Sequence, residues 1–182
     1  MIRKVNTNTA NAWTPKTQFP TDNYIIRCIG EEVGVSQSSG NPMVTLEWEI
    51  VNCEPKQIGD ELVDFDGTKF KSYHVTANRE DEEKSNKVFK YYQDGILVKC
   101  GIDVSEGWDD ENPPSVKGKV VYALLKGEEN KSYAQPTKEE REAGKKVGKV
   151  LQDPITGKDL VIYKPSLSIV HGLFDGEVSR PY

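Results

Sequence analysis

Ser38-Ser39-Gly40-Asn41-Pro42-Met43-Val44-Thr45-Leu46-Glu47-Trp48-Glu49-Ile50-Val51 alternates strictly once past Met43. Val44, Leu46, Trp48 and Ile50 form one row; Thr45, Glu47 and Glu49 form the other. A period of two is the signature of a strand with one buried face. Upstream, Tyr24-Ile25-Ile26-Arg27-Cys28-Ile29 is rich in aromatic and β-branched residues and reads as another strand. Between them, Gly30–Pro42 is polar and carries Gly34, Gly40 and Pro42, so a turn is expected there. Two strands joined by a polar loop look like the start of a small curled β-domain.

Downstream, Glu61–Phe65 reads as a short strand, Asp66-Gly67 as a tight turn and Lys69–Val75 as the next strand. One strand bent at Asp66-Gly67 fits as well. Arg79–Cys100 is the best helical stretch, because Val88, Phe89, Tyr92, Ile96 and Cys100 share one face at helical spacing. Ser85 is expected as its N-cap and Gly101 as its C′ residue. Gly95 within it costs about 1 kcal/mol relative to alanine. Asp103–Pro114 is an acidic loop, and Lys119–Leu125 is a strand. In the polar excursion Gly127–Gly148, Thr137 and Glu140 make a capping box that predicts a short helix over Lys138–Lys146. Val147–Leu151 and Leu160–Tyr163 are expected to pair across Gln152–Asp159, and Pro165–Phe174 to pack back on the domain.

Several strands with a single helix after the third fit a mainly β protein, a five-stranded Greek-key barrel of the OB-fold type. Its helix lies between strands three and four, and its long loop between strands four and five. A β-sandwich has no natural place for that helix. The expected boundaries are an N-terminal arm over residues 1–19, one domain over 20–174 and a short tail over 175–182. Trp13 in the arm is expected to dock on its own domain or on a neighbouring subunit.

The net charge is −5, which argues against a simple basic coat for nucleic acid. The charge is uneven, however. Lys117–Lys149 holds nine Lys/Arg against five Glu, whereas Ile102–Pro114 holds five acids and no base. A mildly acidic total can therefore hide a basic face. No apolar run is long enough to span a membrane, and the opening residues lack the apolar core of a signal peptide. Cys28, Cys53 and Cys100 are odd in number and far apart, with no CxxC and only two histidines. They read as reduced thiols of a cytoplasmic protein, not as a disulfide framework or a zinc site.

No phosphate-loop, dinucleotide, metalloprotease or nucleophile-elbow motif is present. Asp109, Asp110 and Glu111 could hold a hard cation for a nucleic-acid enzyme, but an acidic run is ordinarily a solvated loop. No catalysis, cofactor or metal is expected. Aromatic and basic residues, by contrast, interleave. Lys69-Phe70-Lys71-Ser72-Tyr73-His74 places Lys69, Lys71 and Tyr73 on one face of a strand. Lys87-Val88-Phe89-Lys90-Tyr91-Tyr92 repeats the mixture on the helix, and Tyr122, Lys126, Lys131 and Tyr133 straddle the start of the long loop. Cations neutralise phosphates, and flat rings stack on bases with little sequence preference. With Arg27, Lys56 and Phe65, these residues form the candidate single-strand contact set. Tyr24, Trp48, Phe89 and Tyr92 sit on apolar rows and read as core. Glu47 and Glu49 would repel a phosphate backbone, so a bound strand should avoid the outer row of the alternating strand. A β-barrel module for protein–protein contact is the other reading of the acidic total.

Ser39-Gly40-Asn41-Pro42-Met43 followed by an alternating strand resembles the early segment of single-stranded DNA-binding proteins of tailed bacteriophages. The helix closing on Gly101-Ile102 and the strand opening Lys117-Gly118-Lys119-Val120-Val121 resemble them too, in the same order, over about Phe19–Tyr163. The resemblance implies an OB-fold that coats single-stranded DNA in phage replication, recombination or repair, in the cytoplasm of the infected host. It implies DNA lying between Glu31–Asn41 and Gly127–Asp159, and replication or recombination proteins as partners. It leaves oligomeric state open, a homo-oligomer included. Many such proteins end in an acidic tail; this sequence ends Gly176-Glu177-Val178-Ser179-Arg180-Pro181-Tyr182, without one.

Overall fold

A computed structural model describes residues 18–178. Its main feature is a five-stranded antiparallel sheet built on the alternating stretch. In chain order the elements are β1 (Asp22–Val35), β2 (Pro42–Val51), β3 (Lys56–Ile58), β4 (Glu61–Val63), β5 (Lys69–Val75), α1 (Glu82–Tyr92), β6 (Val120–Lys131), α2 (Lys138–Glu142) and β7 (Val161–Leu173). The sheet order is β5-β2-β1-β6-β7. The sheet is not closed into a barrel. β3 and β4 form a separate small hairpin, so Glu61–Val63 is not part of a bent third strand.

The chain divides into two compact units. One is residues 20–126 with 165–178; the other is residues 18–19 with 127–164. The expected domain over 20–174 is thus divided, with the polar excursion forming a unit of its own. Trp13 lies outside the described residues. No helix among the described residues is long and apolar enough to cross a membrane.

In the first unit, the row Val44, Leu46, Trp48 and Ile50 faces a core that also takes Ile26, Cys28, Leu97, Cys100, Val116, Val121 and Ala123. The segment Gly30–Val35, expected as loop, instead continues β1. A bulge between Cys28 and Gly30 shifts the register, and pairing runs on to Val35 opposite Pro42. Backbone ladder bonds stabilise this extension although Val33 and Val35 stay exposed. The turn is confined to residues 36–41, where Gly40 adopts φ +67 and its N–H donates to Ser36 O at 2.7 Å.

The helix also differs at its start. Asp81 is the N-cap, its carboxylate accepting from Lys84 N at 3.0 Å. Ser85 Oγ serves the preceding loop, accepting from Asn78 N at 3.0 Å. After Tyr92 the chain makes a π-turn over Gln93–Leu97. That inserted residue lets both Ile96 and Leu97 reach the core alongside Tyr92 and Cys100. Gly101 closes the helix with φ +75, a left-handed backbone conformation that favours glycine. In the second unit, Thr137 and Glu140 form the expected capping box, and the helix is the shorter Lys138–Glu142. Gln152 bridges Asp159, and Leu160 N donates to Leu151 O at 2.8 Å, as the expected pairing required.

A polar chain runs through the core of the first unit. Trp48 Nε1 donates to Ser72 Oγ at 2.8 Å, and Ser72 Oγ lies 2.7 Å from His74 Nε2. An indole only donates, so Ser72 Oγ accepts from Trp48, and the imidazole tautomer sets which of Ser72 Oγ and His74 Nε2 donates to the other. Burial pushes the His74 imidazole down to about 4 from 6.5, which keeps it neutral. Between those values the unfolded chain binds a proton that the folded chain does not. Stability is therefore complete above about pH 6.5, falls as pH drops toward about 4 and flattens below, by up to roughly 3 kcal/mol from this group. Urea unfolding at pH 7 and pH 4.5 is expected to show this loss in the wild type and a smaller one in His74→Asn. Equal losses in the two proteins would refute the assignment.

Candidate nucleic-acid interface

The register places β5 beside β2 with Lys69 opposite Glu49, Lys71 opposite Glu47 and Tyr73 opposite Thr45. Strand parity sends Lys69, Lys71 and Tyr73 to solvent and Phe70 and Ser72 inward. Tyr73 is 65% exposed, so its ring is open to solvent. β5 is an edge strand of the sheet. Beside it, a groove of about 580 Å³ is formed with the β1–β2 hairpin and lined by Glu32, Gly34–Ser38, Met43, Thr45, Lys71 and Tyr73. Its walls combine a cation, a ring and the short polar side chains Ser36, Gln37 and Ser38. Those polar residues were missing from the candidate set. The only sequence sign of them was the Ser/Gln composition of a turn, which ordinarily means solvated loop.

The carboxylates that should repel phosphates are partly offset. Arg27 Nη2 lies 2.8 Å from Glu49 Oε2, with both side chains largely buried. Cross-strand lysines stand opposite both glutamates. Among Arg27, Lys69, Lys71, Glu32, Glu47 and Glu49 the charges cancel, but their layout does not. The lysines lie on the edge strand, the acids on the two strands behind it.

Other candidates fall elsewhere. Arg27 is committed to Glu49 and is 6% exposed, so it is an ion-pair partner inside the fold. Phe65 and Phe70 are each 8% exposed and belong to the core, Phe70 directly opposite Trp48. Lys56 sits 2.6 Å from Asp22 and 4.8 Å over the Tyr24 ring. That contact holds the Asp22 carboxyl below its usual range. Tyr122 and Lys126 are exposed on β6, with Tyr122 opposite Ile25. The Phe174 ring stands edge-on to Tyr122 at 5.1 Å and occupies one side of it. With β2 and β1 between, Tyr122 is separated from β5 by three strand spacings, about 14 Å. In the second unit, Lys131 pairs with Asp159 at 3.0 Å, which raises the lysine and lowers the aspartate, and Tyr133 is half-exposed. Within the first unit the structure thus brings together Lys69, Lys71 and Tyr73, sets Arg27, Phe65 and Phe70 inside the fold, and leaves Lys56, Tyr122 and Lys126 on other strands.

The acidic loop is structural. Arg79 binds Asp110 at 2.9 Å and Glu111 at 2.7 Å. Among the described residues, no group of three or more His, Cys, Asp or Glu side chains is placed to hold a metal ion. Burial raises the Cys28 thiol to about 12 and the Cys100 thiol to about 11, which leaves both as weak nucleophiles. No protein-family model, curated protein or solved structure matches this chain.

Proposed function

We propose that this protein binds single-stranded DNA along β5, without catalysis. The observation that carries the reading is the exposed row Lys69, Lys71 and Tyr73 on one edge strand, opening into the groove of the β1–β2 hairpin. Lysines supply sequence-independent phosphate contacts, and a solvent-facing ring offers a stacking platform to any base. A duplex hides its base faces, so single strands are preferred.

The finer fold assignment belongs to the same reading. Counted along the chain, the five strands of the main sheet have α1 between the third and the fourth. Their lateral order, third-second-first-fourth-fifth, is that of a five-stranded Greek-key barrel opened between its third and last strands. This supports an OB-type architecture. The resemblance to the phage proteins extends the role to sheathing single-stranded DNA during replication, recombination or repair in the host cytoplasm.

Anisotropy titration of a labelled thymidine oligonucleotide tests the proposal. The expected result is binding at low salt, weaker binding to the matching duplex, and a log–log salt slope of about −1.4 to −2.1 from two to three phosphate contacts. Absence of binding at low salt, or preference for duplex, would overturn it.

A further inference from the structure

The outward face of α1 is not used by the β5 site. Lys84, Lys87, Lys90 and Tyr91 are all exposed there, with Tyr91 73% exposed, while Tyr92 beside it is buried. Lys84 lies 3.4 Å from Asp81, whereas Lys87 and Lys90 make no ion pair among the described residues. Lys87 and Tyr91 are one helical turn apart, so they sit on one stripe, flanked by Lys90.

Beside the ring is open space. A hollow of about 500 Å³ is lined by Lys87, Lys90, Tyr91, Asp94 and Gly95. Helical side chains lean toward the N-terminus, so the residue four positions after Tyr91 would cover its ring. That residue is Gly95. Neither sterics nor backbone requires glycine there: a Cβ would meet nothing within 4 Å, and φ lies outside the left-handed region. Gly95 also lies within the π-turn, a kind of helix irregularity common at functional positions.

α1 packs on β5: the Tyr92 ring lies 5.5 Å from the His74 ring. His74 shares the inward face of β5 with Phe70 and Ser72, so the helix lies on the side of this edge strand opposite to Lys69, Lys71 and Tyr73. Glu47 and Glu49 stand beside those lysines on β2. A polyanion that leaves the β5 row on the side away from these acids crosses the sheet edge toward the side where α1 packs.

We propose that the α1 stripe is a second contact for the same nucleic-acid strand. A base stacks on Tyr91 in the space left by Gly95, and Lys87 and Lys90 hold the flanking phosphates. The inference rests on the β5 reading and lengthens the binding track.

The test uses the full chain and two thymidine oligonucleotides, one of about 5 nucleotides and one of about 15. Two variants are compared with wild type: Lys87→Ala/Lys90→Ala/Tyr91→Ala, and Gly95→Leu, which fills the space beside the ring. Thermal melting checks that both fold. Each variant is expected to lose about tenfold in affinity for the long oligonucleotide and to keep wild-type affinity for the short one. Unchanged affinity of both variants for both lengths would overturn the second contact while leaving the β5 site standing. Wild-type protein that binds neither length would instead remove the β5 reading, and this inference with it. If the variants bind the long oligonucleotide normally but lose binding of a glutamate-rich peptide, the stripe belongs to a protein partner and the proposal fails.

Discussion

Alanine at Lys69, Lys71 and Tyr73 together is expected to weaken single-strand binding by about 100- to 1,000-fold at low salt. One stacking ring is worth about 1–3 kcal/mol, or roughly 5- to 150-fold. The two lysines add their phosphate contacts, so the log–log salt slope should also become shallower by about 1.4. The three side chains are exposed, so the change should leave the fold intact. A modest stability cost is expected, because Lys69 and Lys71 face Glu49 and Glu47 across the strand pair. Such pairs are worth roughly 0.2–1 kcal/mol each. Titration of wild type and variant at two salt concentrations separates the terms: Tyr73→Ala alone should lower affinity at both, and the lysine changes should act mainly through the slope. A triple variant that binds like wild type would remove β5 from the interface.

Trp48→Ala is expected to cost about 3–5 kcal/mol, a large part of the roughly 5–15 kcal/mol by which a domain is stable. Trp48 is fully buried at the centre of β2, between the β1 and β5 neighbours Cys28 and Phe70. Removing the indole leaves a void and strips Ser72 Oγ of its donor. Trp48→Phe keeps most of the volume and loses only that hydrogen bond, so it should cost much less. Urea unfolding reads both. An alanine variant within about 1 kcal/mol of wild type would mean that β2 is not the centre of the core.

The candidate site was legible in part. The shared face of Lys69, Lys71 and Tyr73 follows from strand parity, which local spacing reveals. The burial of Phe70 does not follow from its polar neighbours. Phe70 is inside because the register sets it opposite Trp48, and register is a property of two strands. Arg27 was a lone cation in the sequence. Its partner Glu49 lies twenty-two residues away and is brought to it only by the β1–β2 pairing. The Lys87–Tyr92 mixture was visible too, and helical spacing alone put Tyr92 on the apolar face, where the structure buries it, and left Tyr91 outside that face.

Periodicity alone was enough for β2, for the helix with its closing Gly101 and for the capping box at Thr137, because each depends on residues within a few positions of one another. Pairing partners, the separate β3–β4 hairpin, the extension of β1 and the second unit depended on contacts between residues distant along the chain. Side chains far apart in sequence meet only once backbone hydrogen bonds have fixed which strands are neighbours and in what register. For that reason the chemistry of the proposed interface could be read from composition, while its position on an edge strand, with its lysines paired across to the acids of β2, had to come from the fold.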